Sequence, residues 1–329
     1  MKFFKALFLL IGLSLLAWAI QDIDFDETLV LISQIGWGGG IIVGVYFLAF
    51  LFDTLTWHIT VLSAPLTTKW LYRFFLLRLA GEAFNNILPA ASVGGEPIKA
   101  VMLKNLYDFN YGEGIASLIL SRTINTLSLV VFLTIGLFLV INNDVLDDNY
   151  TAVASSGLGI LSLGILLFFC AQRFRAASHA ITVLSKIKLF HWLKKFLRNI
   201  TELDDILINF YKDHHTRLIY ALILAFTNWI LGAVEIYVTM HLIGNPISLV
   251  DAWIIEAIAQ LVRTATFFIP ASIGAQEGVF LIFGTAFTGS PATGLTMAIT
   301  RRIREIIWII WGLLVFYVVK PNTKTVAKK

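Results

Sequence analysis

Two stretches decide the fold: Ile87-Leu88-Pro89-Ala90-Ala91-Ser92-Val93-Gly94-Gly95-Glu96, and Phe268-Ile269-Pro270-Ala271-Ser272-Ile273-Gly274-Ala275-Gln276-Glu277. Each runs apolar, apolar, Pro, Ala, then Ser, a β-branched residue, Gly and Glu. A second match lies downstream, where Leu120-Ser121-Arg122-Thr123-Ile124 aligns with Ile299-Thr300-Arg301-Arg302-Ile303. The prolines are 181 residues apart and the arginines 179, so two blocks repeat at a nearly constant offset. Proline removes a backbone donor and glycine favours irregular backbone, so each stretch is a break in an apolar helical region.

The surroundings of the breaks are strongly apolar. The 329 residues are 58% hydrophobic and 14% charged, with a mean hydropathy of +0.81. Soluble domains are about 25% charged, so a soluble enzyme, a disordered chain and a disulfide scaffold are all excluded. One cysteine, Cys170, permits no internal disulfide and no Cys-based metal site. Six segments have the length of a membrane span, roughly 3–20, 38–64, 113–142, 152–171, 217–243 and 292–319. The broken regions, about 68–112 and 250–289, read as re-entrant hairpins.

Basic residues set the orientation. Loops 21–37 and 143–151 contain acidic residues and no Lys or Arg. Twenty of the 25 basic residues fall on one side if both termini are cytoplasmic, and the other five lie inside apolar segments. The net charge of +4 matters less than this placement. Lys2, Lys5, an apolar core and Ala17-Trp18-Ala19 have the layout of a secretory signal, but an uncleaved first span is expected. The span after the first motif then runs outward and the span after the second runs inward. The expected fold is all-α and polytopic: six full transmembrane helices plus two broken hairpins in a 3+3 inverted repeat. Its halves are 1–149 and 150–329, the second carrying a basic amphipathic cytoplasmic loop over 172–216 that lies on an anionic leaflet. His214 and His215 are adjacent, a poor metal pair, and are read as solvated.

Charges inside a membrane cost several kcal/mol, from ~2.5 upward, and must face protein or water. Arg122 lies ~14 Å into its span from one end at ~1.5 Å per residue, and Arg301 lies as deep from the other. Arg301, Arg302 and Arg304 with Glu305 leave an apparent excess of positive charge, which a phosphate would balance through the guanidinium fork. Arg301–Glu305 and Arg302–Glu305 are spaced for local pairing. Broken helix N-termini also favour anions. The candidate substrate-binding residues are therefore Glu96, Lys99, Arg122, Glu277, Arg301, Arg302, Arg304 and Glu305. The hairpin motifs supply Asn86, Pro89, Ser92, Gly94, Gly95, Pro270, Ser272 and Gly274, with the serines and Asn85 and Asn86 available to cap exposed backbone. Trp37, Trp70 and Trp253 are expected as interface anchors.

The blocks Asn86 to Pro89, Gly94-Gly95-Glu96-Pro97-Ile98-Lys99, Pro270 to Gly274 and Glu277-Gly278 resemble the flippase-like membrane region of lysylphosphatidylglycerol synthases, a family that includes the multiple peptide resistance factor and the stand-alone UPF0104 group. The resemblance covers nearly the whole chain. It implies a multi-pass bacterial or archaeal cell-membrane protein that moves phospholipids or related polar-headed lipids between leaflets. Two positions depart from the family: Gln276, where a basic residue often precedes the Glu, and Lys99, where Arg is common. With ten residues after its last span, the chain has no room for the aminoacyl-transfer domain and is not expected to make lysylphosphatidylglycerol.

The expected function is translocation of a phospholipid or other polar-headed anionic lipid, passive or ion-coupled because no phosphate-binding Gly-x-x-x-x-Gly-Lys-Ser/Thr motif is present. Glu96 and Glu277 are candidates for proton-linked gating. The alternative is a secondary transporter of a small soluble anion. No Asp-rich pair, His–Asp or Ser–His arrangement argues for an enzyme, and no cofactor, metal or nucleic acid is expected. The expected partners are membrane phospholipids, with a lipid-modifying synthase or transferase as a further one; a scaffold that recruits such a synthase is the plainest remaining reading.

Overall fold

The computed structural model describes residues 14, 24–87, 94–142, 148–173, 209–266 and 269–319, and every regular element among them is helical. Pro89, Ser92, most of the first expected span and most of loop 172–216 lie outside the described residues. The principal helices are α1 (Phe25–Ile35), α2 (Gly39–Thr60), α3 (Thr68–Ile87), α4 (Glu96–Tyr107), α5 (Tyr111–Ile141), α6 (Asp148–Arg173), α7 (His215–Leu242), α8 (Leu249–Ala265), α9 (Ala275–Thr288) and α10 (Pro291–Val318). Among the described residues, three stretches are long and apolar enough to cross a membrane: Phe25–Thr60, Tyr111–Ile141 and His215–Leu242. α10 has 28 residues, but its middle holds three arginines and a glutamate.

Local chemistry places the boundaries. Asp24 caps α1 by accepting from the Asp26 and Glu27 amides. Gly36, at φ 45°, turns the chain through a short 3₁₀ segment into α2. Asn110 caps α5 and Ser248 caps α8 in a reciprocal box with Asp251. The breaks fall at the two motifs, between α3 and α4 and between α8 and α9.

Contacts sort the helix ends into two sets. At one end, the Arg217 guanidinium of α7 donates to the Ile59 carbonyl of α2, Trp57 donates to Ser117 of α5, and the Trp70 ring of α3 meets Tyr107 at the end of α4 and Phe109 just beyond it. At the other end, Ser290 donates to Glu27 of α1, and Asn245, after α7, donates to Thr293 of α10. The α3–α4 hairpin opens at the first end and α8–α9 at the second. The largest apolar core joins α5, α7, α8, α9 and the start of α10, with Phe132, Ile254, Ile255 and Ala257 fully enclosed.

Trp253 differs from the expected interface anchor. It stacks on Phe132 at 4.6 Å and donates to the Phe132 carbonyl at 3.1 Å, so it packs between helices. Trp37, by contrast, is fully exposed.

Candidate functional site

Four helices bring four arginines and four glutamates together in the α7–α10 region. The Arg301 guanidinium donates to Glu256 of α8 at 2.7 Å and lies 3.7 Å from Glu235 of α7. Arg304 sits 3.0 Å from the same Glu235 carboxylate. The adjacent Arg302 binds Glu277 of α9 at 2.5 Å and Glu305 at 2.6 Å. Arg263 of α8 completes the set, 3.9 Å from Glu305. Arg301, Arg304, Glu235, Glu256, Glu277 and Glu305 are all buried. In such an interior, removing one partner costs far more than the pair is worth.

This arrangement changes the expectation of surplus positive charge. Arg301, Arg302 and Arg304 are matched by carboxylates from α7, α8 and α9 as well as by Glu305, so the cluster is neutral within the protein. Arg302–Glu305 pairs locally as its spacing predicts, whereas Arg301 turns away from Glu305 toward Glu256 and Glu235. The sequence places Glu256 and Arg263 on one helix face, but each takes a partner from α10.

Neighbouring groups fix the network. Gln260 donates to Glu256 at 2.7 Å, and Gly232 of α7 leaves room for that carboxylate, because a Cβ there would lie 2.8 Å from its oxygen. Phe280 lies under Arg301 with 5.0 Å from ring centre to guanidinium, and Tyr46 of α2 under Arg304 at 3.6 Å. A small cavity of about 10 Å³ lies beside Glu235 and Arg301, lined also by Ile236, Thr239, Phe280 and Met297. That is room for roughly one water molecule, far below the ~300–1,000 Å³ of typical ligand pockets, so the described conformation is closed around the ion pairs.

The two breaks hold their glutamates differently. Glu277 accepts from the Gly274 amide at 2.8 Å through one oxygen and from Arg302 through the other. Ala271 and Ser272 both adopt φ 51°, and Ser272 reaches back to the Arg263 carbonyl at 3.5 Å instead of capping α9. The neighbouring Gln276 is buried with neither amide atom hydrogen-bonded to protein.

In the first break, Lys99 is buried and binds Glu96 at 2.7 Å, its chain lying against Gly81. Its ammonium is therefore held inside the protein by Glu96. Asn85 accepts from the Gly95 amide at 2.7 Å and so satisfies backbone at the break, whereas Asn86 donates to the Glu82 carboxylate at 3.1 Å. Gly95 has an ordinary φ of −84°; its role is close approach, since a Cβ would collide with the Gly81 carbonyl. Gly94 lies half-buried beside it.

Arg122 does not join the α10 network: it is exposed on α5. Near it, Asn125 donates to Asp53 of α2 at 2.9 Å, and Asp53 pairs with Arg78 of α3. Asp53, Arg78, Asn125, Tyr46, Glu235, Glu256 and Arg263 are not among the candidate binding residues. Asp53, Glu235, Glu256 and Arg263 stand out in the sequence as charges in apolar segments. Tyr46 and Asn125 carry no such signal.

Comparison with known proteins agrees with the motifs. Residues 6–312 match the family described as lysylphosphatidylglycerol synthase TM region. A UPF0104 membrane protein of Methanothermobacter thermautotrophicus is 25% identical over 261 residues, 76% of this chain and 75% of that protein. No solved structure matches. An all-helical chain with long apolar helices, broken where the two motifs fall and matched across nearly its whole length, belongs to the lysylphosphatidylglycerol synthase transmembrane-region family.

Proposed function

We propose that the protein translocates a phospholipid or other polar-headed anionic lipid across the cell membrane, the head group passing through the region held shut here by the Arg–Glu network. Six spans, two re-entrant hairpins in an inverted repeat and cytoplasmic termini complete the proposal. Three features support it: family membership, hairpins that open at opposite ends of the bundle, and the basic loops gathered on one side. The observation that carries it is the network itself. Eight charged groups from four helices meet beside the α8–α9 break and a small cavity. Such buried charge is expensive, and in membrane proteins it marks polar pathways. Each pair between helices is a clasp that can exchange a protein partner for a lipid phosphate. Translocation is a physical transfer with no chemistry on the lipid, and a lipid-modifying synthase is the class of partner that would supply its cargo.

The test is a proteoliposome assay with head-group-fluorescent phospholipids and an impermeant reductant. Wild-type protein is expected to expose clearly more than half of the label. The charge-neutral pair Glu277→Gln/Arg302→Gln, which leaves fewer buried ions unmatched, is expected to slow this at least about tenfold, the equivalent of ~1.4 kcal/mol. Wild-type traces equal to those of protein-free vesicles, across phosphatidylglycerol and phosphatidylethanolamine and with an imposed proton gradient, would count against the proposal. Uptake of a soluble anion in the same vesicles would favour the secondary-transporter reading.

A further inference from the structure

With the α10 arginines neutralised, one cation within an apolar helix, Arg122 of α5, meets no carboxylate among the described residues. Arg122 is exposed at the twelfth residue of the 31-residue helix Tyr111–Ile141, about 16 Å along its axis at ~1.5 Å per residue. Its guanidinium makes no ion pair or hydrogen bond with any described residue. Arg263, Arg301, Arg302 and Arg304 each have a glutamate, Lys99 has Glu96, and Arg78 has Asp53.

Arg78 is the neighbouring cation: Asn125, one turn along α5 from Arg122, donates to Asp53, which pairs with Arg78. Asp53 accepts from Asn125 through Oδ1 and meets Arg78 through Oδ2, and it makes no ion pair with Arg122. The buried Arg78 Nε has no acceptor. Glu82, one turn along α3, lies in range of Arg78 but forms no ion pair, and Asn86 binds its Oε1. An arginine in an apolar helix cannot stay unmatched cheaply. A phosphate diester offers two acceptor oxygens to the planar guanidinium fork.

We infer that Arg122 and Arg78 form a binding site for the phosphate of a membrane lipid on the exposed flank of α5, apart from the Arg–Glu network of α10. The site rests on α5 lying in the bilayer, as the proposed function has it, but not on translocation.

Binding is measured by native mass spectrometry of the full chain in an uncharged maltoside detergent. The probes are dioctanoyl phosphatidylglycerol, dioctanoylglycerol and inorganic phosphate. Arg122→Gln is expected to raise the Kd for the phosphatidylglycerol at least about tenfold, within the range of a lost charge-assisted contact, and Arg122→Lys to recover part of it. Dioctanoylglycerol binding should not change. Because Arg122 is exposed, its replacement leaves no buried partner unmatched. Arg78→Lys, which keeps the Asp53 pair, is expected to weaken binding in the same direction. Equal Kd values for wild type and Arg122→Gln overturn the site, and inorganic phosphate displacing the lipid at equal concentration overturns the lipid as its occupant. Wild-type protein that binds but does not translocate defeats only the proposed function. Translocation with unchanged Arg122→Gln affinity defeats only this site.

Discussion

Arg301 shows what a single residue contributes here. It sits between two glutamates that reach it from different helices, Glu256 at 2.7 Å and Glu235 at 3.7 Å. Arg301→Gln would leave Glu256 buried with Gln260 as its remaining polar partner, a loss of about 3–5 kcal/mol. The thermal midpoint in detergent should fall by many degrees. Adding Glu256→Gln should restore much of it, because two neutral amides replace an uncompensated ion. An additive double mutant would show that the pair is not coupled. The sequence makes the arginines conspicuous but does not reveal their neutrality. Glu235 and Glu256 lie 66 and 45 residues before Arg301, and only tertiary packing decides which faces meet. Arg122 is the converse case: it aligns with Arg301 in sequence yet occupies an exposed position.

At the scale of elements, the breaks were legible and their internal geometry was not. Proline and glycine announced that α3–α4 and α8–α9 would be interrupted. They did not show that Gly95 serves close approach to Gly81, nor that Ala271 and Ser272 would take left-handed backbone. That conformation costs an L-residue about 1–2 kcal/mol. Ala271→Gly should therefore raise the thermal midpoint, measured beside wild type in the same detergent; an unchanged or lowered midpoint would mean that the break carries no relievable strain. Helix limits came through closely where the apolar run was long. The expected span 113–142 became Tyr111–Ile141, and 217–243 became His215–Leu242. The short helix α1 was missed because loop 21–37 was read only for its charges, although Leu31 and Ile35 bury one face of it.

For the whole molecule, the proposed topology makes an accessibility prediction. Ser290 touches Glu27 at one end of the bundle, and Asp108 lies beyond α4 at the other. In a Cys170→Ser background, Asp26→Cys should react with an impermeant maleimide on intact cells. Asp108→Cys should react only after permeabilisation. Labelling of both, or the reverse pattern, would defeat the inverted arrangement of the hairpins. Loop charge is the sequence signal behind this proposed arrangement, since it is summed over many residues and survives local error.

The balance of four arginines against four glutamates has a further consequence, an electrical one. A charge crossing the membrane field gains or loses about 2.3 kcal/mol per 100 mV. A network that shifts as a neutral unit gains almost nothing. Membrane voltage should therefore leave the opening of the clasp untouched and act only on the cargo. In vesicles clamped with a potassium gradient and valinomycin, the rate for a zwitterionic lipid should be flat against voltage, while that for an anionic lipid should tilt with it. A voltage-dependent rate for the zwitterion would mean that the arginines move without their glutamates.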